Sequence, residues 1–103
     1  MLRIYYVMIR VIAELKTVLV AIETCDRDLA RQLRKAASSV ALNIAEGSGS
    51  SGGTRRERYR NALGSAREVG ACLDVAEAFG YGAVEQRVRD GLRQVQATLV
   101  RVI

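Results

Sequence analysis

Apolar residues recur along this chain at alternating spacings of four and three, the signature of helices that bury one face. In the first segment Ile4, Met8, Val11, Leu15, Val18 and Ile22 form one stripe, while Leu2, Tyr6, Ile9, Ala13 and Val20 form a second on the opposite side. A second segment, from about residue 26 to 46, carries Leu29, Leu33, Ala36, Ala37, Val40 and Ile44 on one face and Arg27, Arg31, Arg34 and Lys35 elsewhere. The third, about 55–79, has an inner stripe of Tyr59, Ala62, Leu63, Ala66, Gly70, Leu73 and Ala76, with Phe79 near its end. Its far side is a seam of mostly small residues, Gly64, Ala71 and Val75, with Glu68 among them. The fourth, about 83–102, aligns Val84, Val88, Leu92, Val95, Leu99 and Val102.

The punctuation between these segments sets their ends. Gly47 reads as a C-terminal helix stop, because glycine accepts the left-handed backbone that closes a helix. A Gly/Ser-rich loop follows over 47–53, and Thr54 then precedes Glu57 at the capping-box spacing, which starts the third helix at about Arg55. Gly80-Tyr81-Gly82 breaks the third helix from the fourth. Four helices of about 20 residues, each near 30 Å long, with short connections, predict an all-α fold: one antiparallel up-and-down four-helix-bundle domain. The first and third helices have two contact faces each. A lone bundle leaves one of them wet, at a cost of about 1.5–3 kcal/mol per exposed large aliphatic, so the pattern also predicts a homo-oligomer.

Composition sharpens this picture. A chain of 103 residues has the length of one domain, and the absence of proline favours long unbroken helices. The first segment is apolar, but Arg10, Glu14 and Lys16 interrupt it well before the roughly 18 residues that a membrane span needs, so a buried soluble helix and a cytoplasmic protein are expected. Without histidine, and with Cys25 and Cys72 far apart, the usual zinc site, histidine base and disulfide framework lack their parts. Both thiols are expected reduced, as small packing residues.

The loop Gly47–Gly53 fails as a nucleotide-binding P-loop, because a helix precedes it and Thr54-Arg55 follows where lysine and Ser/Thr belong. Glu46, Glu57, Glu68 and Glu77 are isolated acids, and Ser38, Ser39 and Ser65 have no histidine, so the expectation is no enzyme and no cofactor. Ser39, Asn43 and Ser65 read instead as polar residues at helix contacts, where buried donors and acceptors must pair.

Charge is distributed unevenly. Residues 27–67 hold nine basic and three acidic side chains, whereas the remainder holds seven basic and eight acidic. The candidate nucleic-acid-binding residues are therefore Arg27, Arg31, Arg34 and Lys35 on the second helix and Arg55, Arg56, Arg58 and Arg60 at the loop exit. Such a field, elongated along a helical hairpin, attracts phosphate chains and releases their counterions, which predicts salt-dependent binding to RNA or DNA. No aromatic platform accompanies the cations, so sequence-specific readout is not indicated. The competing reading is an assembly module whose arginines meet an acidic protein partner.

The string QLRKAASSVALNIAEGSG followed by ALGSARE resembles the bacterial four-helix-bundle family that includes proteins encoded in ribosomal-RNA intervening sequences. The likeness runs from about Asp26 through Phe79; it departs from the family at Ala41, where proline is frequent, and in a loop richer in Gly and Ser. The resemblance implies a homopentameric barrel of four-helix bundles. It also implies structural roles for Asn43, Glu46, Gly47, Gly64, Ser65 and Glu68, which occupy the family's motif positions. A related branch, the accessory variability determinant of diversity-generating retroelements, is a basic pentamer that associates with a reverse transcriptase and nucleic acid, which makes such an enzyme a candidate partner.

Overall fold

A computed structural model describes residues 2–103. Five helices, rather than four, follow one another: α1 (Arg3–Glu14), α2 (Lys16–Cys25), α3 (Arg27–Ser48), α4 (Gly52–Ala78) and α5 (Gln86–Val102). The extra element arises because the first rod is interrupted at Leu15. There the amide of Leu15 is shared between Val11 O at 2.9 Å and Ile12 O at 3.2 Å, a locally tightened turn. Leu15 itself keeps helical angles, φ −74° and ψ −12°, so α1 and α2 still act as one rod.

α3 and α4 form a helical hairpin, α5 packs on α4 and α1, and the α1–α2 rod packs on α3 and α5. The result is an up-and-down bundle 42 Å long and 23 by 19 Å across. The first-segment stripe is buried throughout, with Met8, Val11, Leu15 and Ile22 fully inaccessible. The α3 stripe is likewise buried over its whole length, and Leu33, Ile44, Leu73 and Leu99 close the core from three helices. α1 and α5 approach closely at Gly91, where a β-carbon would stand 2.6 Å from Val11 Cγ2 and 3.2 Å from Arg10 Nη2.

Several helix ends differ from the sequence-based expectation. Gly47 does not stop α3, which continues to Ser48. Gly47 is instead buried beneath Tyr59, where an added β-carbon would lie 2.7 Å from Cδ1 and 3.2 Å from Cζ of the ring. Glycine is used there for its missing side chain. The capping box at Thr54 and Glu57 does not form, because α4 already begins at Gly52 after an extended Ser51. The connection between α3 and α4 therefore shrinks from 47–53 to residues 49–51. At its other end α4 closes as anticipated by the Gly80 break. Gly80 has φ +75°, Gly80 N–H donates to Glu77 O at 3.0 Å, and Tyr81 N–H donates to Ala76 O at 2.9 Å. That pair of bonds is a Schellman motif, which satisfies the last carbonyls of the helix.

Phe79 is not a core residue. It lies just past the end of α4, 68% exposed, stacked on Tyr81 with ring centroids 5.3 Å apart. Val84 precedes α5, which starts only at Gln86, and Val102 at the last turn is exposed. No helix among the described residues is long and apolar enough to cross a membrane.

Candidate nucleic-acid interface

α3 begins where Asp26, in extended backbone, accepts a hydrogen bond from Leu29 N–H at 3.0 Å. This N-cap satisfies one of the free amides of the first turn. The four cations of α3 then leave in different directions. Arg31 pairs with Asp28 on its own helix, Nη2 to Oδ1 2.7 Å, and Arg34 crosses to Glu23 of α2 at 2.8 Å. Lys35 leaves on the other flank, where it lines a cleft between α3 and α4. Neighbours in sequence are about 100° apart around a helix, which is why Arg34 and Lys35 face different partners. Both ion pairs are solvent-exposed, so each adds little stability, on the order of 0–1 kcal/mol. Their effect is to cancel charge.

The opposite end of the bundle collects the start of α1, the end of α3, the start of α4 and the end of α5. Leu2, Ser48, Arg55 and Tyr59 meet there around a shallow pocket. Arg55 folds back so that Nε donates to Gly47 O at 3.2 Å and Ser50 O at 2.8 Å. It thereby ties the end of α3 to the loop, where Gly47 O also accepts from Ser50 N–H at 3.1 Å. Arg58 bridges the hairpin to Glu46 at 3.2 Å. Arg56 and Arg60 project one turn apart from α4, exposed, with no ion pair among the described residues.

The tertiary fold adds two cations that sequence reasoning did not single out. Arg3 opens α1 and Arg101 lies in the last turn of α5, so the antiparallel order brings both to the α3–α4 loop end. The only signal for them in the sequence was topology: an even number of rods returns the chain to where it began. At this end Arg3, Arg55, Arg56, Arg58, Arg60 and Arg101 face only Glu46 and Glu57. The other end holds Glu23, Asp26, Asp28, Asp74, Glu77, Glu85 and Asp90 against Arg27, Arg31, Arg34, Arg87 and Arg89. The field expected to run along the hairpin is therefore concentrated at one end. Of the α3 cations, Arg27 sits at the acidic end and stays apart from the loop-exit arginines.

At that acidic end Arg89 clamps α5 to α4, bonding Asp74 through Nη1 at 2.7 Å and Glu77 through Nη2. The Arg89 hydrogen bond, followed by one from Val84 N–H, holds the Glu77 carboxyl below its ordinary pKa. Burial, and then the charge of Glu68, pushes the Cys72 thiol up.

The six motif residues divide into distinct tasks. Asn43 Nδ2 donates to Ser39 O at 2.9 Å and to Ser39 Oγ at 3.1 Å, and Ser65 Oγ donates to Ser39 Oγ at 2.8 Å across the helix pair. This polar link fixes the register of α3 against α4. Gly47 admits the Tyr59 ring, Glu46 holds Arg58, and Gly64 opens to solvent with nothing within 4 Å of an added β-carbon. Glu68 is exposed and faces the α3–α4 cleft, which has a volume of 330 Å³.

The second apolar face of the first rod is bare in the single chain: Tyr6, Ile9 and Val20 are 64%, 43% and 68% exposed. Beside it a groove of 450 Å³ between this rod and α3 is lined by Ile9, Ile12, Leu15 and Leu19, with Lys16 and Arg34. The α4 seam of Gly64, Ala71 and Val75 is exposed as well.

A family model described as 23S rRNA-intervening sequence protein matches residues 3–101. Neither the curated proteins nor the solved structures include a match to the chain.

Proposed function

The chain belongs to the 23S rRNA-intervening sequence protein family, and from that premise we propose that it is a non-enzymatic helical protein that grips nucleic-acid backbone through the arginine-rich end of its bundle. The observation that carries this reading is the imbalance at the loop end, six arginines against two glutamates. A cation already paired with a carboxylate gains little from a phosphate, whereas Arg3, Arg56, Arg60 and Arg101 have no ion pair among the described residues. Each would release condensed counterions on meeting a phosphate. The contact is electrostatic docking on a rigid scaffold, and it does not depend on base identity.

Assembly multiplies the charge. The bare face of the α1–α2 rod and the small-residue seam of α4 lie on opposite sides of the bundle, since α4 packs on α3 and α5. A contact between these two surfaces is head-to-tail and generates a ring when the rotation closes. Five copies is the number the family resemblance implies. Each would bring one arginine end to the same rim.

Titration of mixed-sequence RNA and DNA at several salt concentrations tests the reading. Binding should weaken steeply with salt, and the Arg56→Ala/Arg60→Ala double variant should reduce the log–log slope by about 2, as expected for two lost phosphate contacts. Arg31→Ala, which removes a cation already paired with Asp28, should change the slope far less. Absence of binding at low salt sinks the proposal, and leaves the arginine end for an acidic protein partner.

A further inference from the structure

The uncovered apolar surface of the bundle is concentrated rather than scattered. Of the eight large apolar side chains exposed among the described residues, five lie along two lines: Tyr6, Ile9 and Val20 on the α1–α2 rod, and Val75 and Phe79 at the end of α4. Apolar surface gathered in this way marks a face that another molecule covers. The two lines also match in height. Leu2 and Tyr59 line one pocket at the arginine end. At mid-bundle Val11 and Gly70 flank the same step of α5, since a β-carbon at Gly91 would stand 2.6 Å from Val11 Cγ2 and one at Gly70 would stand 3.7 Å from Leu92 Cδ2. The rod and α4 therefore run parallel, with Tyr6 level with Gly64, Ala13 with Ala71 and Val20 with Ala78.

Both series advance by seven residues, the repeat with which parallel helices pack at a shallow left-handed crossing. A straight helix drifts by about 20° over each heptad, which carries Val20 away from the line of Tyr6. The tightened turn at Leu15 works against that drift, because a 3₁₀ step rotates by about 120° where an α-helical step rotates by about 100°. Size is complementary as well: the exposed Tyr6 ring is braced edge-on by Tyr5 at 5.2 Å, whereas Gly64 has open space where a side chain would be. We propose that the covering partner is a second copy of this chain docked without stagger, so that each copy's Tyr6 seats over its neighbour's Gly64, Ala13 packs on Ala71, and Val20 reaches Ala78 and Phe79. This rests on the assembly reading above and adds its register. The register decides the form of the assembly. A contact between lines of equal height contains rotation without translation along the bundle, so successive copies close into a ring with their arginine ends at one level. A slip of one heptad would lift each copy by about 10 Å and wind an open filament instead.

Disulfide trapping on the whole chain reads the register directly. In a Cys25→Ser background the Tyr6→Cys/Gly64→Cys pair cannot bond within one molecule, because the two positions lie on opposite sides of a bundle 23 by 19 Å across, and a disulfide needs α-carbons within about 7 Å. Copper–phenanthroline oxidation should therefore convert this variant to a ladder of covalent multimers on non-reducing denaturing gels. The Tyr6→Cys/Ala71→Cys variant, one heptad out of register, should remain monomeric under the same treatment. Gly64→Leu fills a position that the single chain leaves open, so it should lower the mass read by light scattering without loss of helicity. An assembled protein in which the Gly64 pair stays monomeric, the Ala71 pair cross-links as readily, or Gly64→Leu keeps the parent mass overturns the register and leaves the assembly reading standing. A parent chain that light scattering shows as a single copy overturns both, and neither result bears on the salt titration of the arginine end.

Discussion

Gly47→Ala isolates the tightest contact of the α3–α4 hairpin. In an exposed helix interior the change stabilises by about 1 kcal/mol, because alanine loses less backbone freedom on folding. At Gly47 the new methyl would stand 2.7 Å from Tyr59 Cδ1 and 3.2 Å from Cζ, with the ring 4% exposed and held on α4. Overpacking of this kind costs about 1–3 kcal/mol. The ring is rigid and its helix is fixed by the Ser39–Ser65 link and the core, so the clash outweighs the propensity gain and a net loss of about 1–2 kcal/mol is expected. Urea unfolding followed by far-UV circular dichroism, at one fixed protein concentration, should show a lower midpoint with the slope unchanged. In a domain of this size the melting temperature should fall by about 4–8 °C for each 1 kcal/mol. Gly64→Ala is the paired control for the single chain, since nothing lies within 4 Å of its added methyl. In a Tyr59→Ala background, Gly47→Ala should become neutral or stabilising, the sign reversal that a direct contact demands. A Gly47→Ala protein at least as stable as the parent would refute the account, and would return Gly47 to the role of an ordinary helix residue.

Three further outcomes follow from other parts of the bundle. Ile9→Glu and Val20→Glu replace side chains that a single chain leaves in water, so helicity should be retained while light scattering reports a smaller particle; unchanged mass would show that this face is not a subunit contact. Of the two thiols, exposed Cys25 should react with a disulfide reagent in the folded protein, whereas Cys72, buried and with its pKa raised, should react only on unfolding. Glu77 has a lowered folded-state pKa, so its contribution to stability is fully present above the ordinary glutamate value and is lost as pH falls through the folded value. Arg89→Met should move the Glu77 titration, read by NMR, back up toward the ordinary range and remove that part of the acid sensitivity.

The bundle itself was legible because helical periodicity is a local property that tertiary packing then uses. Every residue of the Ile4–Ile22 stripe and of the Leu29–Ile44 stripe is buried, and the opposite face of the first rod is exposed as its second stripe required. The ends were less legible because one residue type serves two purposes. Gly47 has the look of a helix stop, but the demand on it comes from Tyr59, twelve positions away on the next helix, and not from its own backbone angles. Thr54 and Glu57 have capping-box spacing, yet the turn over residues 49–51 starts α4 earlier and leaves the pair inside the helix.

The chain by its own pattern of apolar and charged positions determined the helices, their inward faces, and a basic excess confined to 27–67. Which of those cations remain free was decided only by the fold. Arg34 is cancelled by Glu23 of α2, its neighbour Lys35 faces a cleft, and Arg3 and Arg101 join the loop arginines from the two extremes of the chain. Burial of a stripe depends on spacing within one helix, whereas a charge is neutralised or reinforced by whatever the other helices bring within a few ångströms. The first is written in consecutive residues; the second exists only once distant segments have been packed side by side.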